Sequence, residues 1–452
     1  MTKQETKYIF PPGPEESFFG ANASYSFYFK ILDYLIDLHK KYGDAVHFKA
    51  MKHHMYLISD VDLVEKILVK HPDKFLKGTS VQRLKIILGT GLISSEGEVH
   101  DTHRKMMAPF FQKNSVSKYM NNVIVSIDDM FSKWDKKIAQ GKHIEIHEES
   151  GDLFVEMILQ SIFSDDCYEE LITIGQYLNK LFYNASPLLL IAPDISLKLP
   201  IPESIRFKKI KKKFDAQLKK IIKERIQSHK RKEDLLDALI HAKTNSGYKM
   251  DEVAIYNEVI TLYIAASDTS SKILAWTFYL LAKHHDIKEK VFEEINSLSE
   301  EIKYSDLDKL IYTRCLIAET LRLYPPVWAI SRNPTEDLIL NNYIFKKNST
   351  VLLFPFIIHR DKRFYNEPLK CRPERWLNDE RKLVAKYAYI PFGAGPRVCL
   401  GDNFAWMELL ISIIKIMRHY DFKLAHQKEV ELSSSITLKP KDGIFLKVHR
   451  KK

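Results

Sequence analysis

Phe392-Gly393-Ala394-Gly395-Pro396-Arg397-Val398-Cys399-Leu400-Gly401 is the stretch on which the fold turns. Gly393 and Gly395 admit backbone angles that other residues avoid, so a tight loop can close ahead of the cysteine. A loop of that kind aims peptide N–H groups at the sulfur. The spacing then predicts a helix from Gly401 to about Arg418, whose positive end favours thiolate at Cys399. Gly401 has no side chain and leaves room for a flat cofactor against the helix start. Arg397, two residues before the sulfur, can pair with a carboxylate on such a group. The competing reading is a structural cysteine buried in a glycine turn, and the rest of the chain decides between them.

Working outward, the 452 residues are 45 % hydrophobic and 28 % charged, enough apolar surface for a large core. Only 15 glycines stand against 25 Phe and 22 Tyr, which favours a rigid, mainly helical body. Basic residues outnumber acidic ones, 69 to 58, for a formal charge of +11. Such a surplus speaks of solubility and partners, not of fold. Lys and Arg are spread along the whole chain without a recognised binding motif, which argues against nucleic acid. A solvated surface and a docking face for an acidic protein both stay open. Cys167, Cys315, Cys371 and Cys399 are far apart and form no C-x-x-C pair, so neither a disulfide framework nor a zinc site is expected. Ahead of Pro11-Pro12-Gly13-Pro14 there is no signal peptide and no apolar run near the roughly twenty residues of a membrane span. A cytoplasmic location is therefore expected.

No repeat or low-complexity linker divides the chain, so 1–452 is expected to form one domain. Alternation over 43–60 predicts a β-hairpin, and the periods from 61 to about 320 are helical. The stretch 251–284 lacks Gly and Pro and is apolar nearly all round at Val259, Ile260, Leu262, Tyr263, Ile264, Ala265 and Ala266. It predicts a buried helix about 50 Å long. Beyond 330 come strand-like pieces, a proline-rich coil around 364–376, a last helix from about 400, and a C-terminal hairpin.

Four further constellations carry chemistry. In Glu319-Thr320-Leu321-Arg322 the acid and base share one helix face, and Pro373-Glu374-Arg375-Trp376 follows later. Ala265-Ala266-Ser267-Asp268-Thr269-Ser270 sets an acid and an alcohol in an apolar helix, where both are costly to bury without partners. The plain alternative has Thr269 bonding back to a carbonyl one turn earlier while Asp268 meets an arginine. His100 and Arg104 lie four apart on one helix face. Arg332, in Ser331-Arg332-Asn333-Pro334, has the guanidinium geometry that suits carboxylates.

Taken in this order, the motifs resemble those of the cytochrome P450 family from Pro11–Pro14 to Pro440–Gly443, essentially the whole chain. The resemblance implies a mainly α fold with small β-sheets. Haem b would lie between the long central helix and the helix after the cysteine loop. It implies Cys399 as iron ligand, Phe392, Gly393 and Gly401 against the haem, and His100, Arg104, Arg332 and Arg397 on its propionates. Glu319, Arg322 and Arg375 become a structural network behind the loop. Asp268 and Thr269 become the groups that deliver protons during dioxygen activation. Two positions depart from the family pattern: Cys371, where phenylalanine is common, and Ala266, where glycine often precedes the acid.

The implied activity is a monooxygenase that hydroxylates or epoxidises an apolar substrate such as a lipid, a terpenoid or another hydrophobic natural product. By position, Leu181, Ala265, Val327, Ala329, Ile330 and Ser435 line the substrate pocket. Electrons would come ultimately from NAD(P)H through a ferredoxin or flavodoxin, with no fused reductase, no membrane anchor and a monomeric state. Lys105, Lys113 and Lys386 are expected on the thiolate side, where such a donor docks. A peroxide-using or isomerase-type enzyme is the first alternative, and retention of Asp268 and Thr269 speaks against it. A haem-based sensor or carrier and a helical binding protein without haem complete the alternatives.

Overall fold

The alternation over 43–60 folds as the sequence predicts. In the computed structural model, which describes residues 9–14, 30–50, 52–164, 169–183, 193–228, 231–377, 384–434 and 436–451, β1 (Ala45–Ala50) and β2 (His53–Ile58) pair antiparallel, Ala45 opposite Ile58. The short strand β3 (Phe75–Lys77) interrupts the predominantly helical stretch. Helices α1 (Gly97–Met107) and α2 (Met120–Ala139) follow, then β4 (Ile144–Glu145) and the almost wholly buried α3 (Ile146–Phe163). Next come α4 (Glu169–Tyr183), α5 (Pro202–Ser228) and the central helix α6 (Glu252–Lys283).

The central helix is long because nothing in it stops it. Asp251 caps its start by accepting from the Ala254 N–H at 2.7 Å, and no Gly or Pro interrupts the next 32 residues, which span about 48 Å. Leu274, Trp276, Phe278 and Leu281 are buried on several sides of it, and α3 packs along it. Trp276 stacks flat on Tyr324, ring centroids 4.0 Å apart. Among the described residues no helix is long and apolar enough to cross a membrane.

After α6 come α7 (Ile311–Leu323), β5 (Ile330–Pro334) and β6 (Thr350–Leu353). The main sheet runs β1-β2-β6-β5-β3, with β2 and β6 parallel. Helix α8 (Asp402–His419), β7 (Tyr420–Leu424), β8 (Leu432–Ser434), β9 (Leu438–Pro440) and β10 (Phe445–Arg450) close the chain. The segment from Pro440 to Gly443, where a hairpin was expected, instead leads into β10, which pairs with β4 and β7; the C-terminal hairpin is β8–β9, with Leu432 opposite Pro440. It is anchored where the Leu438 N–H donates to the Pro326 carbonyl at 3.0 Å. The result is mainly helical with small sheets, as the sequence implies.

Candidate active site around the cysteine loop

The loop owes its shape to two glycines. Gly393 and Gly395 hold φ of +78° and +73°, the left-handed region that costs other residues most. At Gly395 a Cβ would also fall 1.9 Å from the Leu68 carbonyl oxygen, so angle and contact together exclude any side chain. The Cys399 N–H donates to the Phe392 carbonyl at 2.8 Å and the Gly393 N–H to Ile390 at 3.0 Å. The Gly401 N–H reaches the Cys399 sulfur, as the glycine spacing suggested. No other protein atom lies within 4 Å of the Cβ position of Gly401, so a flat group has room there.

Part of Cys399 is accessible, yet its sulfur is set deep enough that burial pushes the thiol above its ordinary value. The Gly401 N–H and Arg104 pull the other way, and Asp402 adds to the rise. Burial thus works against the ionisation that the helix end is expected to favour. A metal cation at the sulfur supplies the missing charge and favours ionisation.

The cations implied for haem carboxylates gather nearby. Lys77 on β3 stands opposite Arg332 on β5. Arg397 pairs with Glu96, which also accepts from the Lys77 backbone N–H at 2.6 Å. Burial, then Arg397 and Arg332, holds the Lys77 ammonium down to about 7, against the pull of Glu96 and Glu258. Burial and Arg397 bring Arg332 down to about 10. His100 is buried and bonded to Asp101 at 2.9 Å; burial lowers it first, and Lys77 and Arg397 add to that. One buried nitrogen of Arg397, Nη1, has no hydrogen-bond partner among the described residues. So many buried cations with an unmet donor suit a ligand carrying two carboxylates. Haem is such a ligand, and these residues fit it. Arg104, on α1 with His100, is close enough to Cys399 to act on its thiol. Sequence reasoning missed Lys77, which belongs to no motif and meets Arg332 only through strand pairing.

Behind the loop, the predicted network is complete. Arg322 donates to both oxygens of Glu319, at 2.8 and 2.7 Å, and Arg375 Nε donates to it at 2.9 Å. Trp376 Nε1 and the Arg372 N–H, each at 2.9 Å, fill the remaining lone pairs of Glu319. The free N–H groups of Arg322 reach the carbonyls of His359, Pro368 and Lys370, so the buried charges are paired and bonded as stability requires. His359, which the sequence reading missed, joins the network to the loop: its Nε2 accepts from the Ile390 N–H at 3.0 Å. Burial, reinforced by Arg322 and Arg360, holds its imidazole at about 3, leaving that lone pair free to accept.

On α6, Leu262, Ala265, Ala266 and Thr269 keep partial exposure while Tyr263, Ser267, Asp268 and Ser270 are buried. Their spacing marks one face of the helix. Thr269 donates back to the Ala265 carbonyl at 2.8 Å, the plain alternative raised above. Among the described residues Asp268 meets no arginine. Its partner is Lys272, fully buried, with Nζ 2.5 Å from Oδ1. The two relay candidates thus occupy neighbouring faces and take different partners. On the face of α6 opposite Leu262, Ala265, Ala266 and Thr269, Ile260, Tyr263, Ile264 and Asp268 line a narrow cleft with Ile87, Leu178 and Phe207. Val327 is exposed and Ala329 and Ile330 partly so, just after α7. The Leu181 side chain and Ser435 lie outside the described residues.

Comparison with known proteins agrees with this arrangement. The profile of the family described as Cytochrome P450 matches residues 11–448. The chain is similar to a cyclooctat-9-en-7-ol 5-monooxygenase of Streptomyces melanosporofaciens, 28 % identical over 83 % of this chain and 82 % of that one. It is similar also to a pentalenene oxygenase of Streptomyces avermitilis, 25 % identical over 84 % of each. Its fold superposes on retinoic-acid-bound cyanobacterial CYP120A1 with a TM-score of 0.85, covering 98 % of this chain and 100 % of that one at 23 % identity. A match of that length, joined to the residues gathered around Cys399, puts the chain in the cytochrome P450 family, as one of its monooxygenases.

Proposed function

We propose that this monooxygenase hydroxylates or epoxidises an apolar organic substrate of lipid or terpenoid kind. The observation that carries the reading is the partly open face of α6 formed by Leu262, Ala265, Ala266 and Thr269, apolar but for one hydroxyl. The two Streptomyces relatives, terpenoid oxygenases by name, support it. Haem b, when bound at Cys399, supplies the oxidising chemistry with dioxygen and two electrons, drawn ultimately from NAD(P)H through a ferredoxin or flavodoxin. His100, Arg104, Arg332 and Arg397, joined by Lys77, hold the cofactor's carboxylates and fix its orientation. Phe392, Gly393 and Gly401 give it a flat bed. Thr269 releases its bond to the Ala265 carbonyl to hold and pass a proton, and Asp268 resupplies it. Ala265, Val327, Ala329, Ile330, Leu181 and Ser435 complete the substrate walls. Residues 1–452 act as one catalytic domain, a monomer in the cytoplasm.

The test is a spectral-shift screen of a diverse library against the purified haem protein, followed by turnover with NAD(P)H and surrogate redox proteins. Apolar compounds are expected to shift the haem spectrum and to drive substrate-dependent NAD(P)H use with an oxygenated product. Product from hydrogen peroxide alone, without use of NAD(P)H, would replace this reading by a peroxide-using enzyme. Binding without any turnover would replace it by a sensor or carrier.

A further inference from the structure

Lys272 is the residue that the activity does not explain. It is fully buried in the middle of α6, where an ammonium is costly to hold without full pairing. Its Nζ donates to Asp268 one turn back at 2.5 Å and to the hydroxyl of Thr437. Asp268 and Thr437 are themselves buried. Lys439 and His147 also face this cluster. Burial, opposed by Asp268, lowers Lys439. Burial, with Lys272 and Lys439, holds the His147 imidazole down to about 4. The carboxylate of Asp268 is thus the anion among several nitrogen bases, and Lys272 is the base that grips it.

Thr437 belongs to the turn between β8 and β9. The next residue, Leu438, is tied to Pro326, and the apolar side chains flanking this junction, Ile436 and Val327, are exposed. A ligand resting on Ile436 and Val327 therefore bears on the segment that holds Thr437. An ammonium has three donors and a fixed stem, so a shift of one acceptor changes its hold on the other.

We propose that Lys272 is a positioning residue that couples the substrate turn to the acid of the central helix. This rests on the reading of Asp268 as a proton carrier. With Thr437 in place, the ammonium is shared and the carboxyl group of Asp268 is clamped. When substrate moves the turn, the grip on Asp268 changes, and the carboxylate takes up and passes a proton only with substrate present. The device ties proton delivery to occupancy and keeps electrons from draining to hydrogen peroxide in the empty enzyme.

The experiment uses the haem-loaded protein and one apolar ligand from the spectral screen. Infrared difference spectra, with and without ligand, follow the protonated-carboxyl band, and Asp268→Asn assigns it. The partition of NAD(P)H electrons between product and peroxide is read alongside. The band is expected to respond to ligand in the wild type and to lose that response in Thr437→Val. In Lys272→Met the band should be the same with and without ligand, with several-fold more peroxide per NAD(P)H, and Lys272→Arg should restore the response. Should Lys272→Met fail to hold haem, Asp268→Asn/Lys272→Met removes both charges and checks the fold, and Thr437→Val carries the test. A wild-type ligand response in both Thr437→Val and Lys272→Met, with Asp268→Asn uncoupled, overturns the inference and leaves the relay standing. Normal coupling in Asp268→Asn overturns the relay and the inference with it.

Discussion

A single sulfur carries the central claim. Cys399→Ala should abolish the strongly red-shifted absorption band of the carbon monoxide complex of the reduced protein, since that band requires thiolate; its survival would assign the ligand elsewhere. Thr269→Ala removes the hydroxyl now bonded to the Ala265 carbonyl. It should leave haem content and ligand binding nearly intact while diverting electrons to hydrogen peroxide, measured as peroxide per NAD(P)H. Unchanged coupling would leave that hydroxyl a helix bond only. What the sequence disclosed at this scale depended on chemistry that announces itself. Cys399 and Arg397 stand out because few tasks need a thiol and a guanidinium inside a glycine loop. Lys77 does not, because its role arises only when β3 meets β5 and sets it opposite Arg332. Lys272 was missed as well: the sequence reading gave Asp268 an arginine although Lys272 lies four residues on, and its bond to Thr437 needs the hairpin to fold back.

Helices and loops follow their sequence signals closely where the signal is local. The hairpin over 43–60 and the helix over 251–284 form within a residue or two of their predicted ends, because period and caps are written in the residues themselves. The parallel pairing of β2 with β6 was not legible, since nothing local in either strand names its partner. The same contrast governs the structural network. Glu319 and Arg322 share a helix, but Trp376 comes from a short 3-10 turn, Pro373–Trp376, and His359 from the end of another short helix. Removing Glu319 strands two buried guanidinium groups, so Glu319→Ala should cost about 3–5 kcal/mol and yield little haem-loaded protein; a normal yield would dissolve the network's claim. Gly395→Ala should fail in another way. Its Cβ would strike the Leu68 carbonyl, and the loop would have to open, read as loss of haem incorporation with helical content retained by circular dichroism.

For the whole molecule the open matter is where electrons enter. Arg104 lies near enough to Cys399 to act on its thiol, and Lys105, next on α1, is exposed, so this edge presents positive charge on the sulfur side. Lys113 is exposed too, but it is bound to both oxygens of Asp308 at 2.8 and 2.6 Å. Lys105→Glu should slow the first electron transfer from an acidic ferredoxin more than Lys113→Glu does, with a rate that falls as salt screens charges over about 8 Å. Stopped-flow reduction across a salt series measures it; indifference to salt and to both reversals would move the docking face. The cysteine loop carries a last consequence, for the order in which the molecule is made. Arg397 and Glu96 are 301 residues apart, and Gly395 closes against Leu68 from farther still along the chain. Contacts between segments so distant form slowly, and during synthesis the early segments wait on the ribosome for a partner made about 300 residues later. The nascent chain can fold its hairpin and raise its central helix before the cysteine loop exists, so capture of the prosthetic group follows those steps instead of seeding them.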